Sequence, residues 1–155
     1  MPDTVTIGEA RIDDLYEIVG VMDDAFDPRH GEAWSADQCR ATFILPGYRW
    51  RIASCGDLVV GFLLSRTVAG ESEMMLLAVA VDHRRAGIGR ALIEAWLSEC
   101  RTARVERVFL EVRDGNSALE FYRRFGFVGI ARRKAYYSSG VNERNDAITM
   151  TLRLD

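Results

Sequence analysis

Leu77-Ala-Val-Ala-Val-Asp-His-Arg-Arg-Ala-Gly-Ile-Gly-Arg-Ala-Leu-Ile93 is the stretch that decides how this chain folds. An apolar strand runs into a basic, glycine-containing turn, and the turn opens directly into an amphipathic helix. Such a junction aims backbone N–H groups that lack a helical acceptor at one point, and the helix dipole adds partial positive charge there. Gly87 and Gly89 let a ligand come close to the backbone, while Arg84, Arg85 and Arg90 add full charges. The segment is expected to hold a phosphate ester. Gly87-Ile-Gly89-Arg-Ala-Leu92 lacks the third glycine of the dinucleotide fingerprint, and no Gly-Lys-Ser/Thr follows, which excludes a nucleoside-triphosphate loop. The plainer alternative is a tight turn with solvated arginines.

The surrounding chain is that of one ordinary domain spanning residues 1–155. It is 48% hydrophobic and 28% charged, which is globular composition. A net charge of −3 gives no electrostatic case for nucleic acid as the main partner. The basic residues nevertheless cluster at 84–90, 101–107, 113, 123–124 and 132–134, whereas Asp13, Asp14, Asp23, Asp24 and Asp27 gather near the start. A basic half for an anionic cofactor and an acidic rim for a cationic substrate would produce this split, as would a normally solvated surface. Cys39, Cys55 and Cys100 have no paired or metal-like spacing and read as reduced thiols in the cytoplasm. The start Met-Pro-Asp-Thr has no leader character and no run approaches a membrane span, so neither export nor a membrane is expected. His30 and His83 have no companions at a zinc spacing, and no metal is expected.

Periodicity places the elements. Val5–Glu9 alternates as a strand, and Ile12, Leu15, Ile18, Val19, Met22 and Phe26 recur at helical spacing. Ser35 is the N-cap of a second helix reaching about Leu45, where Pro46-Gly47 stops it. Tyr48–Cys55 and Leu58–Val68 flank a Gly56-Asp57 turn and read as an antiparallel hairpin. Residues 72–79 form a largely apolar fourth strand. The helix over residues 87–102 carries Ile88, Ala91, Leu92, Ala95 and Trp96 on one stripe. Arg107–Arg113 is a fifth strand. Residues 116–125 form a short helix ended by Gly126, and 128–135 and 147–154 are the last strands. The order β-α-α-β-β-β-α-β-α-β-β gives an α/β fold with a mixed sheet.

Arg84-x-x-Gly87-x-Gly89 resembles the Q/R-x-x-G-x-G/A pyrophosphate loop of the GNAT acetyltransferases, which hold acetyl-CoA. Phe109-Leu-Glu-Val-Arg113 followed by Asn116-Ser-Ala-Leu-Glu-Phe-Tyr122-Arg-Arg-Phe-Gly-Phe127 is similar to that family's second half. Arg132-Arg-Lys-Ala-Tyr-Tyr137 with Asn145-Asp-Ala-Ile-Thr-Met150, and Phe26 with Trp34-Ser35, resemble one branch, the ribosomal-protein-alanine N-acetyltransferases (the RimI type). An extra loop over residues 27–33 separates Phe26 from Trp34, Val81 stands where many relatives have proline, and the Asn116-to-Tyr122 spacing is one residue short.

The resemblance implies the GNAT acyl-CoA N-acyltransferase fold, with the fourth and fifth strands splayed and the pantetheine arm of acetyl-CoA running between them. It implies that Leu77, Ala78 and Val79 offer backbone groups to that arm. Arg84, Arg85, Ala86, Gly87, Ile88, Gly89 and Arg90 would then hold the pyrophosphate, with Asn116 on the pantetheine amide or acting as a helix N-cap. Glu111 interrupts the apolar run Val108-Phe-Leu-Glu-Val112 and is the candidate general base; the alternative is a structural ion pair with Arg113 or a helical arginine. Tyr122 is the candidate general acid, because a phenol of pKa near ~10 can protonate a thiolate of pKa about 8.5; the alternative is a core tyrosine. No cysteine lies in these motifs, so direct transfer without an acyl-cysteine is expected. An α-amino group, with pKa near ~8, is easier to neutralise than lysine at ~10.4, and suits a carboxylate base. The expected acceptor is a protein N-terminus, alanine of a small-subunit ribosomal protein, clamped by Trp34, Tyr136 and Tyr137. A lysine side chain, a small-molecule amine, or a non-catalytic acyl-CoA sensor are the competing readings.

Overall fold

The computed structural model describes residues 4–28, 31–134 and 146–154. Its strands are β1 (Val5–Glu9), β2 (Tyr48–Cys55), β3 (Leu58–Val68), β4 (Glu71–Val79), β5 (Arg107–Arg113), β6 (Val128–Arg133) and β7 (Ala147–Arg153). Its helices are α1 (Leu15–Ala25), α2 (Ala36–Thr42), α3 (Ile88–Thr102) and α4 (Ala118–Arg124). The strands form one sheet in the order β1-β2-β3-β4-β5-β7-β6. β4 and β5 pair in parallel and every other neighbour is antiparallel, so the sheet is mixed, as the element order implies.

Local chemistry explains where the observed elements depart from periodicity. The run from Ile12 is split: Ile12–Asp14 is a 3-10 turn, because the Asp14 carboxylate accepts the Arg11 N–H at 2.8 Å and the α-helix starts only at Leu15. Ser35 does cap α2, in a reciprocal box with Gln38. That helix ends at Thr42 rather than near Leu45. The Thr42 hydroxyl donates to the Cys39 carbonyl at 2.6 Å and accepts from Trp50 Nε1 at 2.7 Å, and the next two N–H groups make tight i→i−3 bonds.

One core lies between the sheet and α1–α2, around Ile18, Met22, Trp50, Phe62 and Leu64. The other, on the opposite face, joins Leu92, Trp96, Leu63, Phe127 and Met150. On α3 the buried stripe is Ile88, Leu92, Ile93, Trp96, Leu97 and Cys100, while Ala91 and Ala95 sit half-buried beside it. Gly61 lets α3 seat on β3: a Cβ there would stand 3.0 Å from the Ala78 carbonyl oxygen and 3.3 Å from Ile88.

A β-bulge in β4 makes the site possible. Leu64 pairs with Leu76 but Ser65 pairs with Met74, so Met75 is an extra residue. Before the bulge Ser72 and Met74 face α3, with Ser72 Oγ accepting from Trp96 Nε1 at 3.0 Å; after it Leu76 and Ala78 join the α1 core. Pairing with β5 extends only from Glu71 with Arg107 to Met74 with Leu110. Beyond that point β4 and β5 diverge.

Candidate active site

Leu77, Ala78 and Val79 lie past the last β4–β5 pair and opposite Leu63, Phe62 and Gly61 of β3. In an antiparallel ladder only alternate residues exchange backbone bonds with their partners, so the others turn their N–H and C=O groups to the open side. The gap therefore has an unpaired strand edge along one wall. It forms part of a cleft of about 1250 Å³ that reaches from the Arg84–Arg90 turn to Glu73, Glu111 and Arg133.

At the basic end, Arg85 and Gly87 both take left-handed backbone, φ +63° and +79°. Two left-handed residues this close together bend the backbone sharply at the start of α3. No side chain caps α3 and no acid occupies its first turn; the Ala91 N–H is the first to bond, to Gly87 at 3.0 Å. The N–H groups of Ile88, Gly89 and Arg90 precede that bond. An anion is the natural acceptor for this set, and the open space around a Cβ at Gly87 shows room for it. Ala86 is exposed in this turn, and Ile88 buries its side chain in the core, leaving only its backbone to a ligand. The arginines divide their work. Arg84 donates to the Val79 carbonyl at 3.3 Å and the Ala25 carbonyl at 3.0 Å, so its side chain fastens the turn to the end of α1. Asp24 does the same by accepting the Val81 N–H at 2.7 Å, so one of the acids gathered near the start of the chain holds this turn in place. Arg90 pairs with Glu94 at 2.8 Å along the helix surface, and Arg85 stands exposed beside Gly87.

At the other end Val108, Leu110 and Val112 are buried on the α3 face, leaving Phe109, Glu111 and Arg113 on the other. Glu111 is 17% exposed, is ion-paired with Arg133, and lies 3.5 Å from the Thr149 hydroxyl. An ion pair at Glu111 is thus present, but its partner comes from β6 across β7. Arg113 turns away to Glu32, 3.6 Å distant, and both side chains are 18% exposed. Glu32 belongs to the extra loop, so that loop is anchored on β5. The neighbouring Arg132 bonds Asp114 at 2.5 Å and the buried Asp146 at 3.0 Å, which clamps β6 to the ends of β5 and β7. Its guanidinium holds the exposed Asp114 carboxyl below the usual range.

Tyr122 is the buried residue of α4, 6% exposed, with its ring 5.5 Å from Phe121 and 6.2 Å from Phe127. It lines the cleft, as do half-buried Ala118 and Phe121; Phe125 is also half-buried. Ala118, Phe121 and Phe125 pack against the same core as Tyr122, so the apolar side of this short helix includes all four. Asn116 Oδ1 accepts the Ala118 N–H at 2.9 Å, so it caps the start of α4 while lining the cleft. Trp34 is half-buried on the cleft wall. Tyr136 and Tyr137 lie outside the described residues.

Residues 23–144 match the acetyltransferase (GNAT) domain family. The chain belongs to that family. It is 35% identical over 95 residues to the ribosomal protein bS18-alanine N-acetyltransferase of Escherichia coli strain K12, covering 61% of this chain and 64% of that one. It is 29% identical over 96 residues to the corresponding enzyme of Haemophilus influenzae, covering 62% and 66%. The aligned stretch thus spans just under two thirds of either relative. The crystal structure of the ribosomal-protein-S18-alanine N-acetyltransferase from Escherichia coli superposes with a TM-score of 0.89 over 98% of this chain and 95% of that one, at 27% identity. GNAT acetyltransferases use acetyl-CoA, and the uncapped helix end with its two left-handed residues suits the diphosphate of that donor.

Sequence reasoning missed Glu73, Arg133, Arg113 and Glu32 as members of one polar cluster. For Glu73 a signal existed: it is the carboxylate of β4 that borders the apolar run Met74–Val79, and only Glu71, at the strand's start, accompanies it. Nothing local marks Arg133 or Glu32.

Proposed function

We propose that this GNAT chain transfers an acetyl group from acetyl-CoA to the α-amino group of a protein N-terminus, alanine of a small-subunit ribosomal protein. The observation that carries the reading is the parting of β4 from β5 into a cleft lined by the uncapped first turn of α3, Glu111 and Tyr122. Backbone groups of Leu77, Ala78 and Val79 orient the pantetheine arm, and an N–H near Val79 polarises the thioester carbonyl. Arg85 and the N–H groups from Arg85 to Arg90 hold the diphosphate, and Arg84 keeps their loop in place. Glu111 takes the proton from the attacking amine, directly or through a water, and Tyr122 gives a proton to the departing thiolate. Arg133 and Thr149 hold the Glu111 carboxylate in position. The relatives that act on ribosomal protein bS18 support the acceptor, as does the mismatch between a carboxylate base and a lysine ammonium.

The test is mass spectrometry of alanine-initiated peptides, lysine peptides and free amines incubated with acetyl-CoA. Acetylation confined to the peptide α-amine is expected, with Glu111→Gln slowing turnover by ~10²-fold. Equal turnover of free amines with none at peptide N-termini would remove the proposal, as would a folded sample with no affinity for coenzyme A.

A further inference from the structure

Glu73 and Glu111 are two carboxylates on one side of the sheet, where β4 and β5 part. Glu73 pairs in register with Phe109 on β5, and Phe109 and Glu111 lie on one face. Glu73 and Glu111 are therefore diagonal neighbours across the last paired step of β4 and β5, within reach of each other for side chains of this length. Both line the cleft where the strands part. The charged groups facing Glu73 are Arg66, its register partner on β3, Glu111 on β5 and Arg133 on β6. Arg133 is ion-paired with Glu111, and Arg66 lies over the Tyr48 ring, 5.6 Å from its centroid. One step along the same face, Arg113 is held by Glu32. Burial, and then the charge of Glu111, raise the Glu73 pKa, against smaller opposing effects of Arg133 and Arg66.

We propose that Glu73 and Glu111 act as one dicarboxylate that receives the acceptor as an ammonium ion and takes its proton, which makes Glu73 an acceptor-specificity residue. This rests on the acetyl-transfer reading above. The ammonium N–H bond breaks and its proton goes to the pair, which drops from two negative charges to one. The freed lone pair forms the C–N bond as the C–S bond breaks. Tyr122 protonates the thiolate and recovers a proton from the nitrogen through solvent, and the pair returns its own proton to solvent. A neutral amine gains little from such a site, whereas an ammonium ion relieves the repulsion between two half-buried carboxylates.

The experiment combines carboxyl-carbon NMR titration with kinetics on an alanine-initiated hexapeptide. In the free wild-type protein Glu73 is expected to titrate above the ordinary glutamate range, and Glu111→Gln should bring it down. In Glu73→Gln the acid limb of kcat/KM should move to lower pH and the peptide KM should rise about tenfold, while the Kd for coenzyme A stays within about twofold. A raised carboxylate pKa stabilises the fold only below its unfolded value, and that contribution is lost as pH rises through the folded value. Glu73→Gln should therefore raise Tm at neutral pH, whereas a purely structural glutamate would lower it. An ordinary Glu73 midpoint indifferent to Glu111→Gln overturns the inference, as do an unmoved acid limb and KM in Glu73→Gln. A wild-type protein that transfers to no amine overturns the acetyl-transfer reading itself; one that transfers while Glu73→Gln behaves identically overturns only the role of Glu73.

Discussion

Gly87→Ala separates backbone strain from ligand binding, and Gly70→Ala supplies the matching control. Gly87 has φ +79° and Gly70, in the β3–β4 turn remote from the cleft, has φ +82°. A Cβ built at either position meets no heavy atom within 4 Å, so neither substitution creates a clash. What remains is the left-handed backbone, which costs an L-residue ~1–2 kcal/mol. For a chain of this size each kcal/mol lowers Tm by roughly 2–4 °C, so the two variants should lose similar stability in thermal scans. Their affinities should differ. The open space at Gly87 is where the diphosphate would meet the N–H groups of the loop, and a methyl there pushes the anion off them. Losing one hydrogen bond to a charged group removes ~1.5–3 kcal/mol, or about 10- to 100-fold in Kd. Calorimetric titration with coenzyme A should show that loss for Gly87→Ala and none for Gly70→Ala. Equal affinity in the two variants would refute the assignment of the diphosphate to this turn.

The two adjacent arginines should part company: Arg84→Ala, which breaks the bonds to the Val79 and Ala25 carbonyls, should lose about 1 kcal/mol of stability in denaturant titration, whereas Arg85→Ala should leave stability unchanged and weaken coenzyme A binding. Tyr122→Phe keeps the ring packed against Phe121 and Phe127, so peptide acetylation should fall by ~10²-fold with coenzyme A affinity retained; full activity would remove the general-acid role. Burial pushes the Cys39 thiol up to about 11 and raises that of Cys100. In a colorimetric thiol assay at pH 8, half-buried Cys55 should react first, and all three only after unfolding.

Much of the chain is governed by neighbours in sequence. The Gly56-Asp57 turn sets the ends of β2 and β3, and the alternation of β5 assigns Val108, Leu110 and Val112 to one face and Glu111 to the other. The strand, basic turn and helix around Arg84, Gly87 and Gly89 are likewise local, since φ preferences, capping and periodicity act over a few residues. The end of α2 was less legible, because Thr42 stops the helix for a partner, Trp50, that belongs to the next strand.

The sequence by itself determined the order of elements, the strand–basic turn–helix junction at Arg84–Arg90 and the family pattern that singles out Glu111 and Tyr122. Only the tertiary structure decided what surrounds them. The extra residue at Met75 opens β4 from β5. The β5–β7–β6 pairing brings Arg133 to Glu111, 22 positions away in sequence. The β4–β5 register sets Glu73 beside them, and the loop carrying Glu32 reaches across to Arg113. Local preferences act over a few bonds and determine which way a side chain points. Its partner is chosen by strand register and a bulge, which are settled only when the whole sheet packs.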